Sequence, residues 1–218
     1  MGYSIAIDGP AGAGKSTIAK KVAKEKGFIY VDTGAMYRTM ALFLLRKGVT
    51  KEQTEQIPDI CKEAEITIEY RDGEQVVLLF GENVNGLIRT EEVGNMASVS
   101  SAVPAVREKL LQLQQQLAET NDVVMDGRDI GTKVLPNADV KVYLTASVEC
   151  RAKRRFDELK AKGEECDLVK IAQDIKERDH RDMTREVSPL KKAEDAVEID
   201  SSEMGIEEVT DAILALCR

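Results

Sequence analysis

Tryptophan is absent from this 218-residue sequence, and aromatic residues account for only 4% of it, so the core must be mostly aliphatic. The four cysteines include no C-x-x-C pair, which argues against a zinc knuckle or redox motif and favours reduced thiols of a cytosolic protein. The chain also lacks a basic excess, because its formal net charge is -8. We therefore expect no general binding to nucleic acid, and any phosphate site must concentrate basic residues locally.

Long apolar runs are missing as well. No segment reaches the roughly 18 apolar residues needed to span a bilayer, so no membrane association is expected. The N-terminus enters a strand without a preceding basic stretch, which argues against a signal peptide and favours a cytoplasmic location. With 43% hydrophobic and 32% charged residues, the composition is typical of one globular domain, with or without an inserted lobe.

Short apolar segments alternate with helical patterns along most of the chain. This alternation predicts an α/β fold in which a five-stranded parallel sheet is covered by helices on both faces. The predicted strands are residues 4–8, 28–32, 122–126, 140–144 and 197–200. One predicted helix follows the first strand and ends at Gly27, four begin at Met36, Pro104, Ser147 and Leu168, and a closing helix contains Val209, Ile213 and Leu216.

A different pattern interrupts this alternation between residues 63 and 89. Ile66, Ile68 and Tyr70 alternate with polar residues, and a second apolar run at residues 76–80 follows a turn sequence at Asp72-Gly73. This segment predicts an antiparallel insert in an otherwise β-α chain.

A glycine-rich loop between the first strand and the first helix matches G-x-x-x-x-G-K-S/T without a gap. Glycine suits this loop because backbone N–H groups must converge on phosphate oxygens, and the following helix points its positive end at the same anion. Lys15 is expected to reach the β- and γ-phosphates, and the Ser16 hydroxyl to bind Mg²⁺. The expected nucleotide-binding residues are Gly9, Pro10, Ala11, Gly12, Ala13, Gly14, Lys15, Ser16 and Thr17.

The loop alone indicates binding of a nucleoside triphosphate. The chain has neither the N-K-x-D sequence of regulatory GTPases nor the L-S-G-G-Q sequence of transporter ATPases, which favours a small kinase with a second anion pocket. Arginine is the residue best suited to hold the acceptor's phosphate, because its planar fork grips phosphate bidentately. Arg38, Arg107 and Arg128 lie at or near the ends of predicted elements, where such a pocket is expected.

One helical stripe combines apolar and charged residues. Its positions are Leu168, Ile171, Ile175, Arg178, Asp182 and Arg185. The apolar half should face the core, so the charged half is expected to lie near the active site. The alternative, a helix end that emerges into solvent with weak surface pairs, is left open.

The helix beginning at Ser147 is strongly basic, with Arg151, Lys153, Arg154 and Arg155 close together. In an acidic protein this cluster predicts a lid that closes over the transferring phosphate. The alternative is a solvated charged face.

Several segments together resemble bacterial cytidylate kinases, in order and over nearly the whole chain. They are residues 8–17, 32–38, 88–93, 126–132 and 177–182, of which the D-G-R-D-I-G-T block is the most specific. The resemblance implies a P-loop kinase of one domain. Its core would be residues 1–60, 91–145 and 186–218, its monophosphate-binding insert about 61–90, and its lid about 146–185.

The resemblance also implies the roles of individual residues toward CMP or dCMP. Thr33 and Arg38 would lie at the acceptor site, with Arg38 and Arg128 on its phosphate. Ser98 would hydrogen-bond the cytosine, and Arg107 and Asp129 would either do the same or hold its surroundings. Arg178 and Arg185 would contact phosphate or sugar, and Asp182 the ribose hydroxyls. Thr33 replaces the serine of some family members but keeps the hydroxyl.

The expected reaction is in-line transfer of the γ-phosphate of ATP, with Mg²⁺, to a phosphate oxygen of CMP or dCMP. Lys15, Arg128, Arg154 and Arg155 are the expected catalytic residues, with Arg151 as a further candidate in the lid. Asp126 either holds Mg²⁺ through water or caps a turn. The only histidine, His180, is not expected to act as a base.

Two other functions are left open. One is a kinase of this fold that acts on UMP, AMP or a non-nucleotide, and the other is a regulatory module that binds nucleotide without an acceptor. A monomer is expected, because no long heptad run indicates a coiled coil.

Overall fold

A computed structural model describes residues 2–217. Strands and helices follow one another along the chain, and in places two helices stand in succession without a strand between them. The strands are β1 (Ser4–Asp8), β2 (Ile29–Asp32), β3 (Ile66–Arg71), β4 (Glu74–Leu79), β5 (Glu82–Asn83), β6 (Val123–Gly127), β7 (Val140–Thr145) and β8 (Val197–Asp200). The α-helices are α1 (Lys15–Lys26), α2 (Thr33–Arg46), α3 (Ile57–Ile60), α4 (Glu91–Ser100), α5 (Pro104–Thr120), α6 (Val148–Ala161), α7 (Leu168–Thr184) and α8 (Ile206–Leu214).

The predicted five-stranded parallel sheet is confirmed, with strand order β2-β6-β1-β7-β8. β1 pairs with β7 so that Ile5 is opposite Val140 and Asp8 is opposite Tyr143. β1 and β6 are buried along their whole length, as expected for strands covered on both faces. Their carboxyl ends therefore carry the residues available to a ligand.

The antiparallel insert is also confirmed, as a second sheet with strand order β3-β4-β5. Its first turn is at Asp72 and Gly73, which both have positive φ. Ile66 pairs with Leu79 and Arg71 with Glu74. The helices α3 and α4 are not among the sequence predictions, since α3 is a single turn and α4 follows a turn-rich segment.

The chain divides into two compact units. One unit consists mainly of Ile29–Val123, and the other of Ser4–Phe28 with the chain from Val124 onward. The core of the first is built by large aliphatic side chains, including Met36, Met40, Leu44, Met96 and Leu110. The core of the second includes Ile5, Ile7, Val22, Val142 and Leu144. The predicted boundaries of core, insert and lid stay predictions.

Among residues 2–217, none of the helices combines the length and the apolar character needed to cross a membrane.

Candidate nucleotide and acceptor sites

The glycine-rich loop joins β1 to α1, and its backbone requires glycine at defined positions. A Cβ atom at Gly9 would lie 1.9 Å from the carbonyl oxygen of Leu144, and Gly14 precedes α1 with φ of 87°. Both positions would strain any other residue. The chain thus enters α1 through a tight loop whose first helical N–H groups lack helical partners and are available to an anion.

Lys15 is the second feature of this loop. Its side chain is buried, and its ammonium group donates a hydrogen bond of 2.7 Å to the carbonyl oxygen of Pro10. Burial lowers the pKa of the Lys15 ammonium well below its usual value, and the positive charge of Arg128 lowers it further. Asp126 and Asp8 oppose this effect. A bound phosphate would place negative charge beside the buried ammonium group and so stabilise its charged form.

Ser16 and Asp126 lie together. The Ser16 hydroxyl donates to Asp126 Oδ2 at 2.8 Å, although the residues belong to α1 and β6. A hydroxyl beside a carboxylate is an all-oxygen donor set, which fits Mg²⁺. Among residues 2–217 there is no cluster of three or more histidine, cysteine, aspartate or glutamate residues suited to a metal. Mg²⁺ in phosphate sites needs only one or two side chains, since phosphates and water complete its shell.

The D-G-R-D-I-G-T block carries Arg128 to the carboxyl end of β6. Arg128 Nε donates to Asp182 Oδ2 on α7 at 2.9 Å, and Arg185 Nη1 lies 3.9 Å from the other oxygen of that carboxylate. Burial alone would raise the pKa of Asp182, but Arg128, Arg178 and Arg185 hold it below its usual value. These residues, which the sequence expectations assign to substrate, therefore form one charged cluster.

The stripe on α7 agrees only in part with the prediction. Asp182 is 6% exposed, which argues against weak surface pairs. The expectation that the apolar half faces the core is wrong, because the buried residues of α7 are Asp179 and Asp182 while Leu168 is 41% exposed. The helix α7 packs mainly beside α6. Because one neighbouring helix covers only part of the surface of α7, the apolar side chains of α7 stay partly exposed to solvent.

The basic residues of α6 have different surroundings. Arg155 pairs with Glu158 and Lys153 with Asp157, both in exposed pairs within the helix. Arg154 donates to the carbonyl oxygen of Ser201 at 2.6 Å. Arg151 is buried and contacts the glycine-rich loop itself. In this structure the solvated-face alternative fits Lys153 and Arg155, and it does not fit Arg151.

In the other unit, the predicted acceptor residues lie on α2, α4 and α5. Thr33 is buried at the start of α2, directly after Asp32, whose carboxylate caps the helix at Ala35 N–H and pairs with Arg89 at 2.7 Å. Arg38 projects from the next turn of α2. Its Nη1 is 3.4 Å from the Ile88 carbonyl oxygen, and a Cβ at Gly94 would lie 2.9 Å from that nitrogen. The absence of a side chain at position 94 therefore makes room for the guanidinium group.

Ser98 lies one turn beyond Gly94 on α4, so the two positions are on the same face of the helix. The Ser98 hydroxyl oxygen is buried and has no hydrogen-bond partner among residues 2–217, and the same holds for Ser100. A buried hydroxyl without a partner is costly, so one that faces a ligand site is a candidate ligand contact.

Arg107 completes this cluster from the first turn of α5. Its guanidinium group donates to the Ser101 carbonyl oxygen at 2.9 Å and lies 5.3 Å from the centre of the Tyr37 ring. Tyr37 precedes Arg38 on α2. Arg38, Ser98 and Arg107 are therefore linked through near neighbours within one unit. Asp129, which the sequence expectations group with them, belongs to the other unit beside Arg128.

Sequence reasoning missed three residues. Asp8 accepts hydrogen bonds from the N–H groups of Ile130 and Gly131, each at 2.8 Å. Asp179 pairs with Arg151, and the Ser201 carbonyl accepts from Arg154. Asp8 directly precedes the glycine-rich loop, which is a usable signal. Asp179 and Ser201 have no such signal, because only the fold brings them to their partners.

Comparison with known proteins identifies the relatives of this chain. The family model for cytidylate kinase matches residues 5–218. A cytidylate kinase of Caldicellulosiruptor bescii is 51% identical over 213 residues, which cover 98% of this chain and 94% of the relative. A cytidylate kinase of Bacillus licheniformis is also 51% identical, with 97% and 94% coverage.

Among solved structures, a shikimate kinase from Bacteroides thetaiotaomicron matches with a TM-score of 0.50 and 13% identity, over 98% of this chain and 97% of the other. An uncharacterised protein from Eubacterium ventriosum matches with a TM-score of 0.52 and 16% identity, over 99% and 97%. At these identities the matches support the α/β fold and nothing further.

Proposed function

The chain belongs to the cytidylate kinase family, and on that premise we propose that it transfers the γ-phosphate of ATP to CMP or dCMP, giving CDP or dCDP. The observation that carries this proposal is the extent of the family match, which spans both units and so includes the glycine-rich loop and the cluster on α2, α4 and α5. A regulatory module that only binds nucleotide would not need that second cluster.

In the proposed reaction, the glycine-rich loop holds the phosphates of ATP with backbone N–H groups. Lys15 exchanges its hydrogen bond to the Pro10 carbonyl for bonds to phosphate oxygens. Their negative charge also offsets the cost of burying the ammonium group. Arg128 lies close enough to Lys15 to lower its pKa, and it is the second catalytic cation in this proposal. Arg154 and Arg155 would join them by exchanging their present partners for phosphate.

Ser16 and Asp126 are the residues that would hold Mg²⁺, Ser16 directly and Asp126 through water. When bound, Mg²⁺ neutralises charge on the phosphate oxygens. The close pairing of Ser16 with Asp126 also keeps the serine hydroxyl at the start of α1, beside the phosphate-binding N–H groups.

On the acceptor side, Arg38 is proposed to bind the phosphate of CMP through its planar fork. The unpartnered Ser98 hydroxyl would bond the cytosine, with Arg107 and Asp129 holding its surroundings. Thr33 would line the same site. Arg178, Asp182 and Arg185 would contact the phosphate and ribose of the substrates. No general base is needed, because the attacking phosphate oxygen is already ionised at neutral pH.

The remaining parts of the proposal concern the whole chain. We infer one kinase domain with its monophosphate-binding insert at about residues 61–90 and its lid at about 146–185. Closure of the lid would exclude water, which would otherwise compete with CMP for the γ-phosphate. We also infer a monomer and a cytoplasmic location.

The test is an assay of ADP release with ATP and Mg²⁺, and with each nucleoside monophosphate in turn. The proposal expects strong turnover with CMP and dCMP, weak turnover with UMP, and none with AMP or GMP. Equal rates on all acceptors would favour a kinase of broader or different specificity. ADP release without any acceptor would favour the nucleotide-binding module.

A further inference from the structure

Arg151 differs from the other basic residues of α6 in that all three parts of its guanidinium group are engaged. Nε donates to the Ala146 carbonyl oxygen at 2.9 Å, and Nη1 donates to the Ala11 carbonyl oxygen at 2.9 Å. Nη2 pairs with Asp179 Oδ2 at 2.6 Å. One side chain thus joins the glycine-rich loop, the turn before α6, and α7.

The Arg151 side chain and its carboxylate partner are largely buried. The side chains of Arg151 and Asp179 are 5% and 11% exposed. A Cβ at Gly12 would lie 3.4 Å from Arg151 Cβ, so the loop packs directly on the arginine stem. A buried ion pair is weak evidence of stability, because desolvation offsets much of its attraction. A defined geometry is the better explanation, since the rigid fork fixes three partners at once.

The position of Asp179 connects this contact to the charged cluster. Asp182 is three residues further along α7, on the same helix face, and binds Arg128 at 2.9 Å. A continuous path therefore runs from the Ala11 carbonyl through Arg151 and Asp179 to the helix that carries Arg178, Asp182 and Arg185. Each contact in the path lies within one unit of the chain.

We propose that Arg151 is a positioning residue, which holds α7 in register with the glycine-rich loop and so sets Asp182 and its arginine partners for phosphoryl transfer. This inference rests on the proposed function for its catalytic consequence. It differs from the expectation that Arg151 itself touches the transferring phosphate. Arg151 acts through Asp179.

The kinetic test uses Arg151→Lys, Asp179→Asn and the double variant. The lysine keeps the charge but cannot bind three partners, and the asparagine keeps the volume but loses the ion pair. Each single variant should lower kcat about 10- to 100-fold, the effect of displaced catalytic groups, with the KM for ATP changed less than about 3-fold. The double variant should be no worse than the poorer single variant, because both changes break one connection.

Matched controls are Lys192→Met and Glu198→Gln, which break an exposed ion pair in the same unit but outside the proposed lid. Both should retain wild-type kinetics. If Asp179→Asn does not fold, Asp179→Glu keeps the charge and displaces the carboxylate, and a smaller fall in kcat is expected. If Arg151→Lys raises the KM for ATP while the changes at Asp179 have no effect, Arg151 contacts the nucleotide directly and the proposal is wrong.

A second measurement separates this inference from the proposed function. Hydrogen exchange is followed with and without a non-hydrolysable ATP analogue, which needs binding but no acceptor. In the wild type, nucleotide should slow exchange in the glycine-rich loop and in α7. In Arg151→Lys the loop should still be protected, while α7 should lose most of its additional protection. If α7 is protected equally in both proteins, the inference is wrong, even where CMP proves to be the acceptor. If α7 loses its additional protection in Arg151→Lys, the inference is supported, even where CMP proves not to be the acceptor.

Discussion

The glycine-rich loop and the cluster on α2, α4 and α5 differ in how the chain constructs an anion site. The loop uses consecutive residues and backbone N–H groups, with Lys15 already bonded inside it. The cluster uses single side chains from three helices: Arg38, Ser98 and Arg107. Gly94 leaves room for the Arg38 guanidinium group, and the Tyr37 ring contacts the guanidinium group of Arg107. The loop is a local structure, whereas the cluster exists only after helices have packed.

This difference has a functional consequence. Backbone N–H groups bind any phosphate and cannot distinguish one base from another. A buried hydroxyl such as that of Ser98 can discriminate, because the wrong base leaves it unpaired. We therefore expect changes in the loop to alter the rate, and changes in the cluster to alter acceptor affinity and choice.

The largest effect is expected for Lys15→Met. Removing the buried ammonium group should lower kcat with CMP by about 1000-fold, since it takes away charge stabilisation of the transferring phosphate. Binding of CMP without ATP, measured by calorimetry, should be unchanged. Lys24→Met, at an exposed position of α1, is the control. A loss of CMP affinity in Lys15→Met would mean that the two sites are not separable.

The next effect is expected for Arg38→Lys. Lysine cannot grip phosphate bidentately, so the KM for CMP should rise about 30-fold while the KM for ATP stays unchanged. The control is Arg46→Lys on the same helix, where the arginine pairs with Glu82 at the surface. An equal increase in both KM values would contradict the assignment of Arg38 to the acceptor.

A smaller effect is expected for Ser98→Ala. Loss of one hydrogen bond to cytosine should reduce the preference for CMP over UMP, as the ratio of kcat/KM values, about 10-fold. Ser100→Ala is a closely matched control, because this hydroxyl on the same helix is also buried without a partner among the described residues. If both variants change the ratio equally, the effect comes from packing and Ser98 does not read the base.

The smallest effect concerns Asp8 and pH. Burial raises the pKa of the Asp8 carboxyl to about 6, against the hydrogen bonds from Gly131 and Ile130, with Asp129 raising it and Lys15 lowering it. A carboxyl whose pKa is higher in the folded state stabilises the fold below its usual pKa of 3.8, and this contribution is lost as pH rises through 6. Between pH 5 and 7.5 the loss should be on the order of 1 kcal/mol.

Asp8→Asn removes this titration. The difference in unfolding free energy, variant minus wild type, should therefore increase by about that amount from pH 5 to 7.5. Urea unfolding at both pH values measures it. A difference that does not depend on pH would mean that Asp8 is not the titrating group.

The same contrast explains what the sequence could predict. The five parallel strands, the insert around Asp72 and Gly73, and the loop through Ser16 follow from local patterns, and the structure contains all three. Arg38 and Arg107 were candidates because they lie near the ends of predicted elements. Ser98 and the individual roles came from resemblance to a family, because no spacing along the chain brings these residues together.

Two features needed the fold itself. A basic run on α6 gives no indication that Arg151 is buried against the loop while Arg155 is exposed. The apolar side of α7 has the periodicity of a core-facing helix. Leu168 nevertheless stays partly exposed, because α6 is the main neighbour of α7. Periodicity identifies the face that packs, and it does not say how much structure is available to cover it.

The central claim is that the γ-phosphate passes from ATP to CMP and not to water. Phosphorus NMR of the protein with ATP, Mg²⁺ and CMP follows every phosphate in one experiment, and Lys15→Met serves as the blank. The account predicts that the β-phosphate signal of CDP grows in step with ADP and that inorganic phosphate stays at the level of the blank. Growth of inorganic phosphate with ADP while CMP remains unchanged would contradict it.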